Sequence, residues 1–257
     1  MADPNTQPSP TPPPLRTSAG NTAWDVLIVL GGIVLGLALL AAFMLPVRAG
    51  GGYAPRAACM NNARQIGLAM FQYADDHNDY YPPLVDVEGK KCPVVFTENG
   101  ELRRDLEALR HHSRSAFAVL LKEGYLTTTK VFICPNSKDR LPPASFPTEF
   151  KTANLRDLLL GENNCSYGWD PTKMHTADAM CAIVADKPRK TPGPEGTVDN
   201  NSENHKDEGQ NIFYNDGHVR WATTPKPDAG SDPDIYTGST EPGKEYWKSA
   251  SDAKIIR

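Results

Sequence analysis

From Val26 to Val47 the chain runs for 22 residues without a charge, VLIVLGGIVLGLALLAAFMLPV, and no other feature constrains its architecture as tightly. At about 1.5 Å per residue a helix of that length spans roughly 33 Å, enough to cross a hydrocarbon core of about 30 Å. A helix buried in a soluble core is usually shorter. A cleaved signal peptide fits poorly too, because the polar leader is long and Arg16 is its one basic residue. Residues 25–47 are therefore expected to form a transmembrane helix. Gly32 and Gly36 have the GxxxG spacing that lets two such helices approach closely. In the leader, residues 1–24, six of the first fourteen residues are proline and little can be buried. Ordering it would cost backbone entropy without return, which predicts a disordered tail.

Beyond the span, CMNNARQIGLAMFQYADDHNDYYPP places Cys59, Ala63, Ile66, Met70 and Tyr73 at alternating spacings of four and three, one apolar stripe along a helix. Asn61, Asn62, Arg64, Gln65 and Gln72 fall on the opposite face, and Tyr81-Pro82-Pro83 sets the limit of the helix. Gly50-Gly51-Gly52 reads as a flexible break between the two helices. A single hydrophobic N-terminal helix leading into a globular head is the architecture of a pilin-type subunit.

The rest of the chain reads as an α+β domain. SAFAVLLKE, closed by Gly124, is expected to be a helix, and NLRDLLL at Asn154 to Leu160 a second short one. VFIC at Val131 to Cys134, CSYGW at Cys165 to Trp169 and MCAIVAD at Met180 to Asp186 are strand candidates. NIFYNDGHVRWA reads as a hairpin around Asp216-Gly217, a pair favoured in type I′ turns. That turn pairs Tyr214 with Val219 and Ile212 with Trp221 on one apolar face. The expected organisation is a helix packed on a small antiparallel sheet over residues 54–222, with a polar C-terminal extension over 223–257. The net charge of -4 lacks the basic excess that phosphate neutralisation requires, so nucleic acid is not an expected partner.

These blocks carry a resemblance. CMNNARQIGLAMFQYADDHNDYYP, LLKEGYLTTTKVFICPN, NNCSYGW, AIVADKP and NHKDEGQNIFYNDGHVRW, in that order, resemble type II secretion pseudopilin-like proteins of the prepilin-type processing-associated family. In that family a His precedes an Asp-Gly by nine residues; here ten separate His205 from Asp216, making His205, Asp216 and Gly217 the motif residues. The prepilin cleavage signature Gly-Phe-Thr-Leu-x-Glu is replaced by Ala23-Trp24-Asp25, which removes the basis for processing by a prepilin peptidase. The resemblance implies a non-catalytic structural or accessory subunit of a secretion or cell-surface assembly. Its partners would be the membrane and other pseudopilin-like subunits, and its C-terminal domain would be exported from a single-pass inner-membrane anchor. Basic residues alone argue the reverse topology, since Arg48, Arg56 and Arg64 follow the span and Arg16 precedes it.

Candidate chemistry is sparse. His205, Asp216 and His218 are suitable metal ligands close in sequence, which makes an extracytoplasmic metal-dependent hydrolase the alternative reading and a ligand-binding sensor head a third. His111-His112 reads as a solvated helix face. No GxSxG, P-loop or GxGxxG occurs. Asp228, Asp232 and Asp234, in PDAGSDPDIY, could offer oxygen ligands to calcium, and the resemblance to major pseudopilins adds a C-terminal calcium loop. Five cysteines, Cys59, Cys92, Cys134, Cys165 and Cys181, allow up to two disulfides in an oxidising compartment. Cys59, on the apolar stripe, is expected to be the free one.

Overall fold

The computed structural model describes residues 22–44, 53–86, 88–92, 113–171, 173–191, 197–226, 232, 234–236, 253 and 255. The chain divides into two units, residues 1–49 and 50–257. The first contains α1, Thr22–Met44, with Asp25 in its first turn, where a carboxylate suits the positive end of the helix dipole. Its window Ala23–Ala41 has a mean hydropathy of 2.4 and none of it is buried within the chain, so α1 is long and apolar enough to cross a membrane. The helix starts at Thr22, inside the stretch read as tail. Residues 1–21, with most of the proline-rich leader, lie outside the described residues, as do Gly50-Gly51-Gly52 and His111-His112.

The second unit is built on α2, Tyr53–Asp76. Cys59, Ala63, Ile66, Met70 and Tyr73 are all buried, as their spacing predicts. Asn62 departs from the expected outer face: its Nδ2 donates to the carbonyl of Ile133 at 2.9 Å. After a two-stranded ribbon of β1, Leu84–Val85, and β2, Lys91–Cys92, comes α3, Ser113–Glu123. Gly124 ends α3 at φ +90°, a conformation that favours glycine.

A four-stranded antiparallel sheet follows in the order β3-β4-β5-β6: β3 is Tyr167–Trp169, β4 Ala182–Asp186, β5 Gln210–Tyr214 and β6 Val219–Ala222. α2 lies on this sheet at Gly67, where an added Cβ would come within 2.4 Å of the Phe213 ring. Strand alternation then turns Ile212 to the opposite face, and Ile212 is fully buried as well. Ile235, Tyr236, Ala253 and Ile255 belong to the same core, and Ile255 donates its backbone N–H to Ile235. The described residues of 223–257 are therefore partly core, where a polar extension was expected.

Three local expectations are corrected. The VFIC segment is no strand: Thr129–Phe132 is a 3-10 turn capped by the Thr128 hydroxyl, which buries Val131 and Phe132 without a neighbouring strand. NLRDLLL narrows to a 3-10 turn at Leu155–Leu158. The hairpin shifts by one residue, with Phe213 opposite Val219, Ile212 opposite Arg220 and Asn211 opposite Trp221. Gly217 is at φ +87° whereas Asp216 is not left-handed, and the Tyr214 carbonyl accepts from the Gly217 N–H. That is a three-residue loop, a tight turn followed by a left-handed glycine, not a type I′ turn. Because the side-chain period is two, the slip reassigns the faces: Phe213 faces α2, and Trp221 is only half-buried, under the Arg56 guanidinium.

Candidate functional site

His205 ends a short 3-10 turn, Glu203–His205, in which the Ser202 hydroxyl accepts from the Asn204 backbone N–H. Lys206 and Asp207 follow at φ 57° and 63°, and Gly209 at φ 149°, so the chain reverses sharply into β5. Ala222 leaves no room for a side chain at Gly209, since a Cβ there would lie 2.3 Å from the Ala222 carbonyl oxygen. This loop sets the His205 ring inside the domain, edge-on to Trp221 with centroids 5.0 Å apart.

The buried imidazole is enclosed by polar groups from three segments. Nε2 lies 3.2 Å from Asp186 Oδ2 at the end of β4, 3.3 Å from Asn211 Nδ2 on β5 and 3.6 Å from Cys134 Sγ. Nδ1 lies 3.2 Å from Asn136 Nδ2. With Asn136 donating to Nδ1, the ring proton sits on Nε2 and is donated to Asp186. Asp186 also accepts from Asn204 Nδ2 at 2.9 Å, from the Asn211 backbone N–H at 2.7 Å and from Asn211 Nδ2 at 3.0 Å. A carboxylate taken out of water needs such donors, and here they tie the His205 turn to two strands. The next residue, Lys187, is held in the same way: its Nζ lies 2.5 Å from Asp139 Oδ1 and donates to the Cys165 carbonyl at 3.0 Å, while the Ser166 hydroxyl donates to Asp139 Oδ2.

Cys134 reaches this cluster because it is bonded to Cys59, which corrects the expectation of a free Cys59. The burial that made Cys59 look like an inert stripe residue is what turns it toward the loop carrying Cys134. Among the described residues Cys165 and Cys181 are free and buried. Burial pushes the Cys165 thiol up to about 12, so it stays protonated.

Asp216 and Gly217 lie at the other end of β5. Three strand residues at about 3.3 Å each put Tyr214 roughly 10 Å from Asn211, which touches His205, and Asp216 follows two residues later in the turn. The carboxylate accepts from the His218 backbone N–H at 3.0 Å and lies 2.5 Å from His218 Nδ1. Slight burial acts to raise the Asp216 pKa, but the two His218 hydrogen bonds and the His218 charge outweigh it and lower the carboxyl below its usual value. Asn215 braces the turn, donating to the carbonyls of His175 and Ala177 and accepting from Tyr81. Thus Asp216 and His218 touch each other, but the fold does not bring them to His205.

Asp232 and Asp234 are buried, and all four of their carboxylate oxygens accept from nitrogen donors. Asp232 takes the backbone N–H groups of Asp234 and Ala253; Asp234 takes Tyr236 N–H and Asn200 Nδ2. Asp228 lies outside the described residues. Sequence reasoning missed Asp186, Lys187 and Asp139. The one local signal was an Asp-Lys pair ending the apolar run CAIVA, where charges at the close of a buried strand need partners.

The profile of the family described as "Protein of unknown function (DUF1559)" matches residues 54–182, from the first turn of α2 to the start of β4. No curated protein and no solved structure matches the chain.

Proposed function

The chain belongs to the DUF1559 family, and from that premise we propose that it is a pseudopilin-like structural or accessory subunit of a secretion or cell-surface assembly. The observation that carries this reading is the apolar helix α1, none of it covered by the chain itself, placed ahead of a domain in which α2 packs on a four-stranded antiparallel sheet. In this reading α1 anchors the chain in the inner membrane and the second unit works on the exported side. The Cys59–Cys134 disulfide supports export, because such bonds persist in oxidising compartments and are rare in the cytosol. The role is assembly, not catalysis: His205 is enclosed by Asp186, Asn136, Asn211 and Cys134, with no face left for a substrate. Its partners are the lipid bilayer and other subunits carrying a similar N-terminal helix.

Photo-crosslinking from a probe at Leu35, in native membranes, tests the reading. Adducts to other proteins with a single apolar N-terminal helix are expected; adducts to lipid alone would contradict an assembly role.

A further inference from the structure

Cys59 Sγ, Cys134 Sγ and one nitrogen of His205 lie within 4.8 Å of one another, and all three residues are buried. With the sulfurs bonded, this is a disulfide beside a histidine. With the sulfurs reduced, it is a two-thiolate, one-imidazole donor set of the kind Zn2+ takes in tetrahedral sites, at about 2.3 Å to sulfur and about 2.0–2.1 Å to nitrogen. Those bond lengths place a ligating sulfur and nitrogen about 3.5 Å apart. Cys134 Sγ and His205 Nε2 already stand at 3.6 Å.

Two further observations point to a ligand. Asn136 meets Nδ1 from behind the ring, where its amide, once turned to present oxygen, would fix the orientation and tautomer of a histidine ligating through Nε2. Asn211 Oδ1, in a fully buried residue whose Nδ2 touches both His205 and Asp186, has no hydrogen-bond partner. A buried acceptor left empty in an otherwise satisfied cluster is the kind of group that a bound ion or its water completes.

We propose that Cys59, Cys134 and His205 form a redox-gated metal site, closed by the disulfide in the oxidised chain and binding one Zn2+ ion, with water as the fourth ligand, when the cysteines are reduced. A dithiol reductant supplies two electrons and two protons to the Cys59–Cys134 bond and leaves as its own disulfide. Zinc then displaces both thiol protons. The ring proton moves from Nε2 to Nδ1, and the Asn136 amide turns its oxygen to accept it.

The test uses the full chain in detergent, reduced anaerobically with a phosphine that is then removed, and Co2+ as the probe. The reduced chain should bind one cobalt with the thiolate charge-transfer band and visible bands of a tetrahedral site, displaced by one equivalent of Zn2+. The oxidised chain should show neither. His205→Asn should weaken binding on the order of tenfold or more, and Cys134→Ser should lose the parent spectrum. Circular dichroism reports whether each variant is folded; if His205→Asn unfolds, Cys134→Ser decides. A folded, reduced chain without the charge-transfer band would overturn the proposal. So would a Cys134→Ser spectrum equal to the parent's, which would assign the cobalt to Cys92, Cys165 or Cys181.

Discussion

α1 and α2 are nearly the same length, 23 and 24 residues, yet they treat apolar surface in opposite ways. From Ala23 to Ala41 every side chain of α1 is exposed within the chain, whereas the Cys59-Ala63-Ile66-Met70-Tyr73 stripe of α2 is covered by the domain. The difference lies in the arrangement of charge. α2 keeps Arg64 and Asp75 on the face away from its core, while α1 has no charge after Asp25 and so no face that prefers water. A helix apolar on every side matches hydrocarbon better than it matches a groove. One helix is long and apolar enough to cross a membrane, and the other holds the domain together.

The largest break in this comparison should come from charging each helix in turn. Val34→Lys with Leu37→Lys should cost about 5–7 kcal/mol of insertion free energy at about 2.5–3.5 per central charge. The double variant should move from the carbonate-resistant to the soluble fraction, with the melting temperature of the domain unchanged. Ile66→Asp should do the reverse. Placing an unpaired carboxylate at a fully buried position should destabilise the domain by about 3–5 kcal/mol while the chain stays membrane-bound. If either variant changed both readouts together, the two helices would not be separable in the way described.

A smaller change sharpens the account of α2. Gly67→Ala adds one methyl group where the Phe213 ring already sits, and the ring is buried between α2 and the rest of the core. The helix must lift or the ring must rotate, at a cost of about 1–3 kcal/mol, read as a lower melting temperature. Gly36 has nothing within 4 Å of its Cβ position, so Gly36→Ala should leave that temperature unchanged.

The stripe on α2, the extent of α3 with its closing Gly124, and strands β3 and β4 were legible because each is written in local periodicity or a local stop signal. What failed was settled at longer range. VFIC is apolar enough for a strand, but a run of four residues cannot say whether a neighbouring strand exists. The hairpin was recognised, but its loop has three residues where two were expected, and one residue of slip pairs Val219 and Trp221 with Phe213 and Asn211 instead of Tyr214 and Ile212. Cys59 and Cys134 are 75 residues apart and His205 another 71 beyond Cys134, so neither the disulfide nor the cluster could be read from spacing. His205 was singled out, yet its carboxylate partner is Asp186, not Asp216.

The smallest expected effect lies at Asp216. Its pKa is lowered in the folded chain, so the His218 contacts contribute stability that is fully present above the unfolded value of about 3.9 and is lost as pH falls through the lower folded value. The side chain is 39% exposed, so solvent and salt screen most of that contribution. Asp216→Asn should therefore barely change the melting temperature at neutral pH and slightly flatten its decline in acid. A large loss at neutral pH would show that the carboxylate does more than brace the turn.

Whether the second unit is exported is decided by the side of the membrane on which it can be labelled. Lys130 is exposed, and Cys165 and Cys181 are buried, so Lys130→Cys in a Cys92→Ser background presents one accessible thiol. An impermeant maleimide is applied to cells whose outer membrane alone has been opened, and again after inner-membrane lysis. An exported second unit should be fully labelled in the first condition. Labelling only in the second would place the domain in the cytoplasm, as the count of Arg48, Arg56 and Arg64 suggests, and would contradict an exported pseudopilin-like subunit.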